Sequence, residues 1–370
     1  MRWRFPERDV RSAGERPESA RAEGGRSPEP RRHFVSIQIL RGWAATSVAL
    51  FHASQIVGRP IHAAAFGVDL FFVISGFLMV SITSEATRPW PFLKDRLLRI
   101  VPLYWLATAA LIAWLLRFAP GALPQPDYLL ASLFFIPFRP EPDGPIFPVL
   151  ALGWTLNYEM MFYLIFAATL CVSAQRRLLA LTAVFAAIIA LGWIFRPTSA
   201  ALAFWTHPLI VQFLGGAWLA IWWKGGRRRS VAKAVALIGG GLFAFYALLI
   251  GVYLLGLPNL GEDRSPLVIP ALLILAGALH LEPTRDSWLT RVQAALGNAS
   301  YSIYIWQVSA ILFAGAVAAN AGMGPAATFA TIMACCVGGG LVSYHLIEKP
   351  LMALLRRPRT IRGIRVPAGP

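Results

Sequence analysis

The stretch SIQILRGWAATSVALFHAS, residues 36–54, is long and apolar enough to enter a bilayer, yet it carries Arg41 and His52. A charged side chain near a bilayer centre costs about 3 kcal/mol or more, so such residues face a protein interior or a water-filled path. The segment therefore predicts a helix enclosed by other helices. The rest of the chain agrees: its 370 residues are 57% hydrophobic and only 14% charged. A mean hydropathy of +0.59 lies outside the range of a soluble domain. The expected fold class is all-α, a polytopic membrane helix bundle. The formal charge of +16 does not point to nucleic acid, because most of the Lys and Arg fall in short clusters between apolar runs. Cys171, Cys335 and Cys336 sit in apolar surroundings, and the six histidines lack the spacing of a zinc site, so no metal is expected.

Apolar windows near the length of a membrane crossing recur at about 35–57, 65–83, 100–118, 148–173, 178–195, 201–223, 231–256, 266–282, 298–318 and 324–347. They predict about ten transmembrane helices. Residues 1–33, rich in Arg, Glu, Pro, Gly and Ser, read as a disordered basic tail; 34–355 form the transmembrane domain, and 356–370 a second basic tail. RRHFV at 31–35 has a faint likeness to a twin-arginine signal and is read instead as the basic flank of the first span. With the N-terminus in the cytoplasm, the inward loops hold RPWPFLKDRLLR (88–99), QRR (175–177), KGGRRR (224–229) and RDSWLTR (285–291). The outward loops hold only isolated arginines, Arg59, Arg139, Arg196 and Arg264. The positive-inside rule is satisfied, and ten spans leave both termini cytoplasmic. The Pro-rich outward segment 120–148 reads either as a plain connection or as the lining of a substrate entrance.

Arg41 and His52 are eleven positions apart, which returns to within about 20° of one helix face and about 16 Å along the axis. Histidine suits proton transfer near neutral pH, so His52 is the candidate general base. Asp69, in GVDLFFVISGFLM (67–79), is placed either to orient that imidazole or to cap its own helix. In LGWTLNYEMMFYLIF (152–166), Thr155, Glu159 and Tyr163 follow an i, i+4, i+8 spacing on one face. A buried Glu159 needs a partner, and Arg41 is the economical one. Lys94, Arg96 and Arg99 precede the third apolar window and suit phosphate groups such as those of coenzyme A. Ser300, Tyr304 and Gln307 make a polar stripe in LGNASYSIYIWQ (296–307), and His345 with Glu348 in HLIEKPL reads as a simple helix-end pair.

The Arg and His of the first span, with GVDLFFVISGF, RLLRIVPLYW, WTLNYEMMFY and LGNASYSIYIW in that order, resemble the acyltransferase type 3 family of bacterial membrane acyltransferases. WTLNYEMMFY is similar to the branch that acetylates exopolysaccharides. The resemblance covers roughly residues 35–355 and implies ten membrane helices and transfer of an acyl group, usually acetyl from acetyl-CoA, to a sugar hydroxyl. It implies that Arg41 and His52 are the essential pair and that Arg96 and Arg99 lie near the donor. Many members carry histidine where this chain has Gln307, so no role passes to that position. The resulting expectation is an O-acetyltransferase of the bacterial inner membrane, acting on a polysaccharide or lipid-linked sugar. His52, Arg41, Glu159 and Asp69 are its candidate catalytic residues; Lys94, Arg96 and Arg99 hold the acetyl-CoA. Trp154, Tyr163, Tyr304 and Gln307 face the acceptor. A covalent acyl-histidine relay is a second route. The competing class is a proton-coupled glycan or lipid transporter built on the same intramembrane charges.

Overall fold

The computed structural model describes residues 34–141, 144–224, 230–255, 263–283 and 287–356. The expected tail 1–33, nearly all of the tail 356–370, and the basic residues of 225–229 and 285 lie outside them. All regular structure among the described residues is helical. In chain order the helices are α1 Val35–Ile56, α2 Gly67–Ile82, α3 Pro89–Phe118, α4 Pro126–Leu133, α5 Trp154–Thr169, α6 Ala174–Phe195, α7 Ala200–Trp205, α8 Val211–Lys224, α9 Val231–Leu255 and α10 Val268–His280. Then follow α11 Trp288–Asn298, α12 Ser300–Ile305, α13 Gln307–Asn320, α14 Pro325–Ser343, a π-turn Tyr344–Glu348, and α15 Lys349–Leu355.

Each of the ten expected windows is helical, and the protein is a polytopic helical membrane protein. Six helices among the described residues are long and apolar enough to cross a bilayer: His62–Ile82, Pro89–Phe118, Ala174–Phe195, Ala200–Lys224, Val231–Val252 and Pro325–Leu355. Ser265–His280 and Gln307–Asn320 are shorter apolar helices. The first and fourth windows fall outside both groups. Their helices, α1 and α5, carry Gln38, Arg41 and His52 in one case and Asn157 and Glu159 in the other.

α1 is the hub of the bundle, packed against α2, α10, α11, α12 and α14. Its enclosed face is built of small residues, with Ala44, Ala45, Ala49 and Ala53 all fully buried, so neighbouring backbones come close. Gly42 and Gly297 meet where α1 crosses α11, and a Cβ on Gly297 would collide with the Gln38 carbonyl. The N-terminus of α1 is held by Glu282, which accepts from Val35 N at 2.5 Å, Ser36 N at 3.2 Å and Ser36 Oγ at 2.6 Å. That carboxylate satisfies free helix N–H groups and complements the positive end of the helix dipole.

The second tight crossing joins α2 to α8. A Cβ on Gly76 would strike the Phe213 carbonyl oxygen, and one on Gly216 the Val73 carbonyl oxygen. Beside it, Phe162 of α5 stacks on Phe213 at 4.5 Å between ring centroids, and Tyr158 stacks on Phe204 at 4.0 Å.

The segment 120–148 contains one short helix, α4, and is tied to α3. The Tyr104 hydroxyl lies 2.8 Å from Ser132 Oγ, and Trp105 Nε1 donates to the Leu133 carbonyl at 2.9 Å. Phe135 follows with φ of 60°, a left-handed backbone that bulky side chains rarely adopt, and its ring packs on Tyr104 at 4.9 Å.

The α2–α8 crossing generates a stability test. Gly76→Ala or Gly216→Ala should each destabilise the protein by about 1–3 kcal/mol through overpacking. Gly239→Ala in α9, where an added Cβ meets no atom, should be neutral or slightly stabilising by helix propensity. Thermal unfolding in detergent micelles compares the three.

Candidate active site

Six elements bring polar side chains to one region of the bundle: Arg41 from α1, Ser75 from α2, Arg96 and Arg99 from α3, Glu159 and Tyr163 from α5, Tyr301 and Ser302 from α12, and Glu348 from the π-turn. Tyr163 donates a short hydrogen bond to Glu159, and Ser75 Oγ donates to the same carboxylate at 3.3 Å. Tyr301 donates to the Ile100 carbonyl at 2.7 Å, fixing α12 against α3. Ser302 Oγ donates to Glu348 at 2.6 Å.

Arg41 is half-buried here. The charged groups in its neighbourhood are Arg99, Glu159 and Glu348. The expected contact between Arg41 and Glu159 is absent: no ion pair forms between them, and Glu159 Oε1 instead accepts from both Tyr163 and Ser75. What balances Arg41 is a field of two carboxylates shared with Arg99. Neither Arg41 nor Arg99 makes an ion pair with another described residue. Arg96 is different: it bonds Asp95 at 3.1 Å and lies over the Phe92 ring at 5.9 Å. Arg96 and Arg99 share a helix face at i, i+3, whereas Lys94 is exposed and stands apart from them.

His52 lies about 16 Å farther along α1, half-buried, with its ring 5.0 Å from that of Phe51 and Gln55 as its polar neighbour. Asp69 does not orient it. The Asp69 side chain is fully buried and ion-paired to Arg264; it also accepts from Gln212 Nε2 at 2.7 Å. Arg264 further donates to the Ala65 carbonyl at 3.0 Å. A buried carboxylate requires a cation more than an imidazole requires a carboxylate, and the outward arginine that looked isolated in the sequence supplies it.

The remaining expected residues divide. Trp154 is half-buried against Phe72 and Tyr158. Tyr304 is buried with its hydroxyl engaged by Thr155 at 2.8 Å and by the Leu152 carbonyl at 3.0 Å, so it joins α12 to the start of α5. Gln307 is fully buried and donates to the Ala45 carbonyl at 3.2 Å, on the α1 stripe between Arg41 and His52. Sequence reasoning gave Ser302 and Tyr301 no role in this region and read Glu348 only as a helix-end partner of His345. His345 is exposed against the Tyr344 ring while Glu348 is buried, so the two do not form a helix-end pair. The available signal was a carboxylate at the end of an apolar window whose other charges are basic.

A membrane bundle with unpaired guanidiniums lodged among its helices, and an imidazole on the same helix stripe, has the make-up of an integral membrane enzyme. The chain belongs to the acyltransferase type 3 family, whose acyltransferase domain matches residues 34–345. It is 37% identical over 318 residues to the exopolysaccharide production protein ExoZ of Rhizobium meliloti (strain 1021), a match covering 85% of this chain and 98% of that protein. It is 24% identical over 349 residues to the O-acetyltransferase OatA of Staphylococcus aureus (strain NCTC 8325 / PS 47), covering 86% of this chain and 57% of OatA. No solved structure matches the chain. The protein is a multi-pass membrane O-acyltransferase, and its family implies an acyl donor.

The Asp69–Arg264 pair generates the second test. Arg264→Gln strands a buried carboxylate and should cost about 3–5 kcal/mol. Adding Asp69→Asn should recover part of that loss. A double-mutant cycle of unfolding midpoints in detergent measures the coupling, and additive losses would show that the pair contributes nothing.

Proposed function

We propose that the protein transfers an acetyl group from acetyl-CoA to a sugar hydroxyl of an exopolysaccharide or other cell-surface glycan, in the bacterial cytoplasmic membrane. The observation that carries this reading is the pair of unpaired guanidiniums, Arg41 and Arg99, inside an apolar bundle. Such groups are costly unless an anion of the substrate completes their coordination. The phosphates of CoA fit that need, and Arg96 on the same face of α3 extends the patch. The relative named for exopolysaccharide production supports the acceptor class.

In this mechanism the donor enters from the cytoplasm beside α3, and its thioester arm runs along the α1 stripe toward His52. The imidazole takes the proton of the sugar hydroxyl. The resulting oxygen nucleophile attacks the thioester carbonyl carbon, the C–S bond breaks, and CoA leaves as a thiolate that recovers the proton from the imidazolium. Glu159, held by Tyr163 and Ser75, balances Arg41 without capping it, which leaves the guanidinium open to the donor. The basic clusters of the loops at 88–99 and 175–177 support a cytoplasmic face on the side where α1 begins.

His52→Ala should abolish acetyl transfer in protein that inserts and melts normally, while Gln307→Ala, which removes an amide unable to act as a base, should reduce it far less. Correctly folded His52→Ala protein with near-normal transfer would remove the imidazole from the mechanism. For the donor side, Arg96→Gln with Arg99→Gln should weaken acetyl-CoA binding by about tenfold or more, the scale of losing charge-assisted hydrogen bonds. Inside-out vesicles should consume added acetyl-CoA, and right-side-out vesicles should not.

A further inference from the structure

Glu348 has no part in the chemistry above, yet it is placed with care. It closes a π-turn, Tyr344–Glu348, within the Pro325–Leu355 span. Such turns shift the side-chain register of a helix and recur at functional sites. The shifted carboxylate is buried, 8% exposed, while its neighbours Lys349 and Pro350 face outward. Ser302 Oγ holds it at 2.6 Å. The cations whose charges reach it are Arg99 and Arg41, and it forms a direct ion pair with neither. A buried carboxylate that is restrained by a hydroxyl beside two unpaired guanidiniums is an unusual arrangement, since direct pairing would be the lower-energy outcome if it were free to move.

We propose that Glu348 is a positioning residue that sets the grip of the anion site: Ser302 restrains its carboxylate so that its charge tempers Arg41 and Arg99 without occupying them. The role rests on the reading of acetyl-CoA as donor. Two consequences of opposite sign follow. Removing the charge leaves the guanidiniums less balanced and tightens the hold on the phosphates. Removing the restraint lets the carboxylate swing onto a guanidinium and compete with them.

The experiment measures acetyl-CoA affinity by calorimetry on the purified full-length protein in detergent micelles, with unfolding midpoints recorded for each variant. Glu348→Gln, which keeps the size and can still accept from Ser302, should lower Kd about tenfold, the scale of one unit charge removed at low effective dielectric. Ser302→Ala should raise Kd about tenfold, as a mobile carboxylate screens the site at that same dielectric. Glu348→Asp should stay closer to the parent than Glu348→Gln. A merely structural role would weaken binding in both variants, so shifts of the same sign, or no shift, in folded protein overturn the proposal. Should Glu348→Gln fail to insert, Ser302→Thr decides beside Ser302→Ala: binding weakened in Ser302→Ala at an unchanged unfolding midpoint and recovered in Ser302→Thr, which restores the hydroxyl that donates to Glu348, supports the role, and any other outcome overturns it. Parent protein that does not bind acetyl-CoA would overturn the donor assignment and this role with it, whereas binding parent with same-sign variants overturns only the role of Glu348.

Discussion

The charge inside α1 is the constraint around which the molecule is arranged. A guanidinium cannot sit among apolar helices without compensation, and direct pairing is only one way to provide it. Here two carboxylates, Glu159 and Glu348, offset two guanidiniums, Arg41 and Arg99, through a shared field. Each carboxylate is held by hydroxyls of its own, Tyr163 and Ser75 for one and Ser302 for the other. The cluster is balanced in charge while its cations stay unpaired. Enclosure of α1 by five other helices follows from the same requirement, because each surrounding element either contributes a polar group or excludes lipid from one.

Small residues make that enclosure possible. Alanines along α1, and the glycine contacts of α1 with α11 and α2 with α8, bring backbones close enough for short polar side chains to reach across. Away from the cluster, buried polar groups serve to lock helices together. Asp69 with Arg264 and Gln212 ties α2 to α8 and to the start of α10, Tyr304 with Thr155 ties α12 to α5, and Tyr104 with Ser132 ties the outer segment to α3. Gln307 braces the α1 stripe from α13.

The architecture was readable from the chain because membrane helices announce themselves by length and apolarity, and every expected window is helical. The site was readable only in part. Arg41, Glu159 and Arg99 stood out as charges in apolar runs, and the structure gathers them. Their pairings did not follow, because economy of charge says that a carboxylate needs compensation and not which of several groups supplies it. Asp69 lay near the same end as His52 in a linear reading, yet its partner is Arg264, far away in sequence. Glu348 was read as a helix-end partner of His345, because the π-turn that directs it inward leaves no trace in a pattern of apolar and polar letters. Hydropathy is weak along α1 and α5, which fall outside the helices long and apolar enough to cross a bilayer and carry polar residues of the candidate site, Arg41, His52 and Glu159.

The rigidity of α1 also bears on how this segment can change over time. Its first turn is fastened by Glu282, its middle by Gln307, and its crossing with α11 by facing glycines, so the rod has one axial position and one rotation. Between Arg41 and His52 each residue adds about 1.5 Å of rise and 100° of turn. One inserted or deleted residue would carry the imidazole to another face of the helix while leaving composition, apolarity and length nearly unaltered. On the proposed mechanism the stretch therefore tolerates exchange of letters better than a change in their number, because only the count of ten intervening residues keeps Arg41 and His52 on one face.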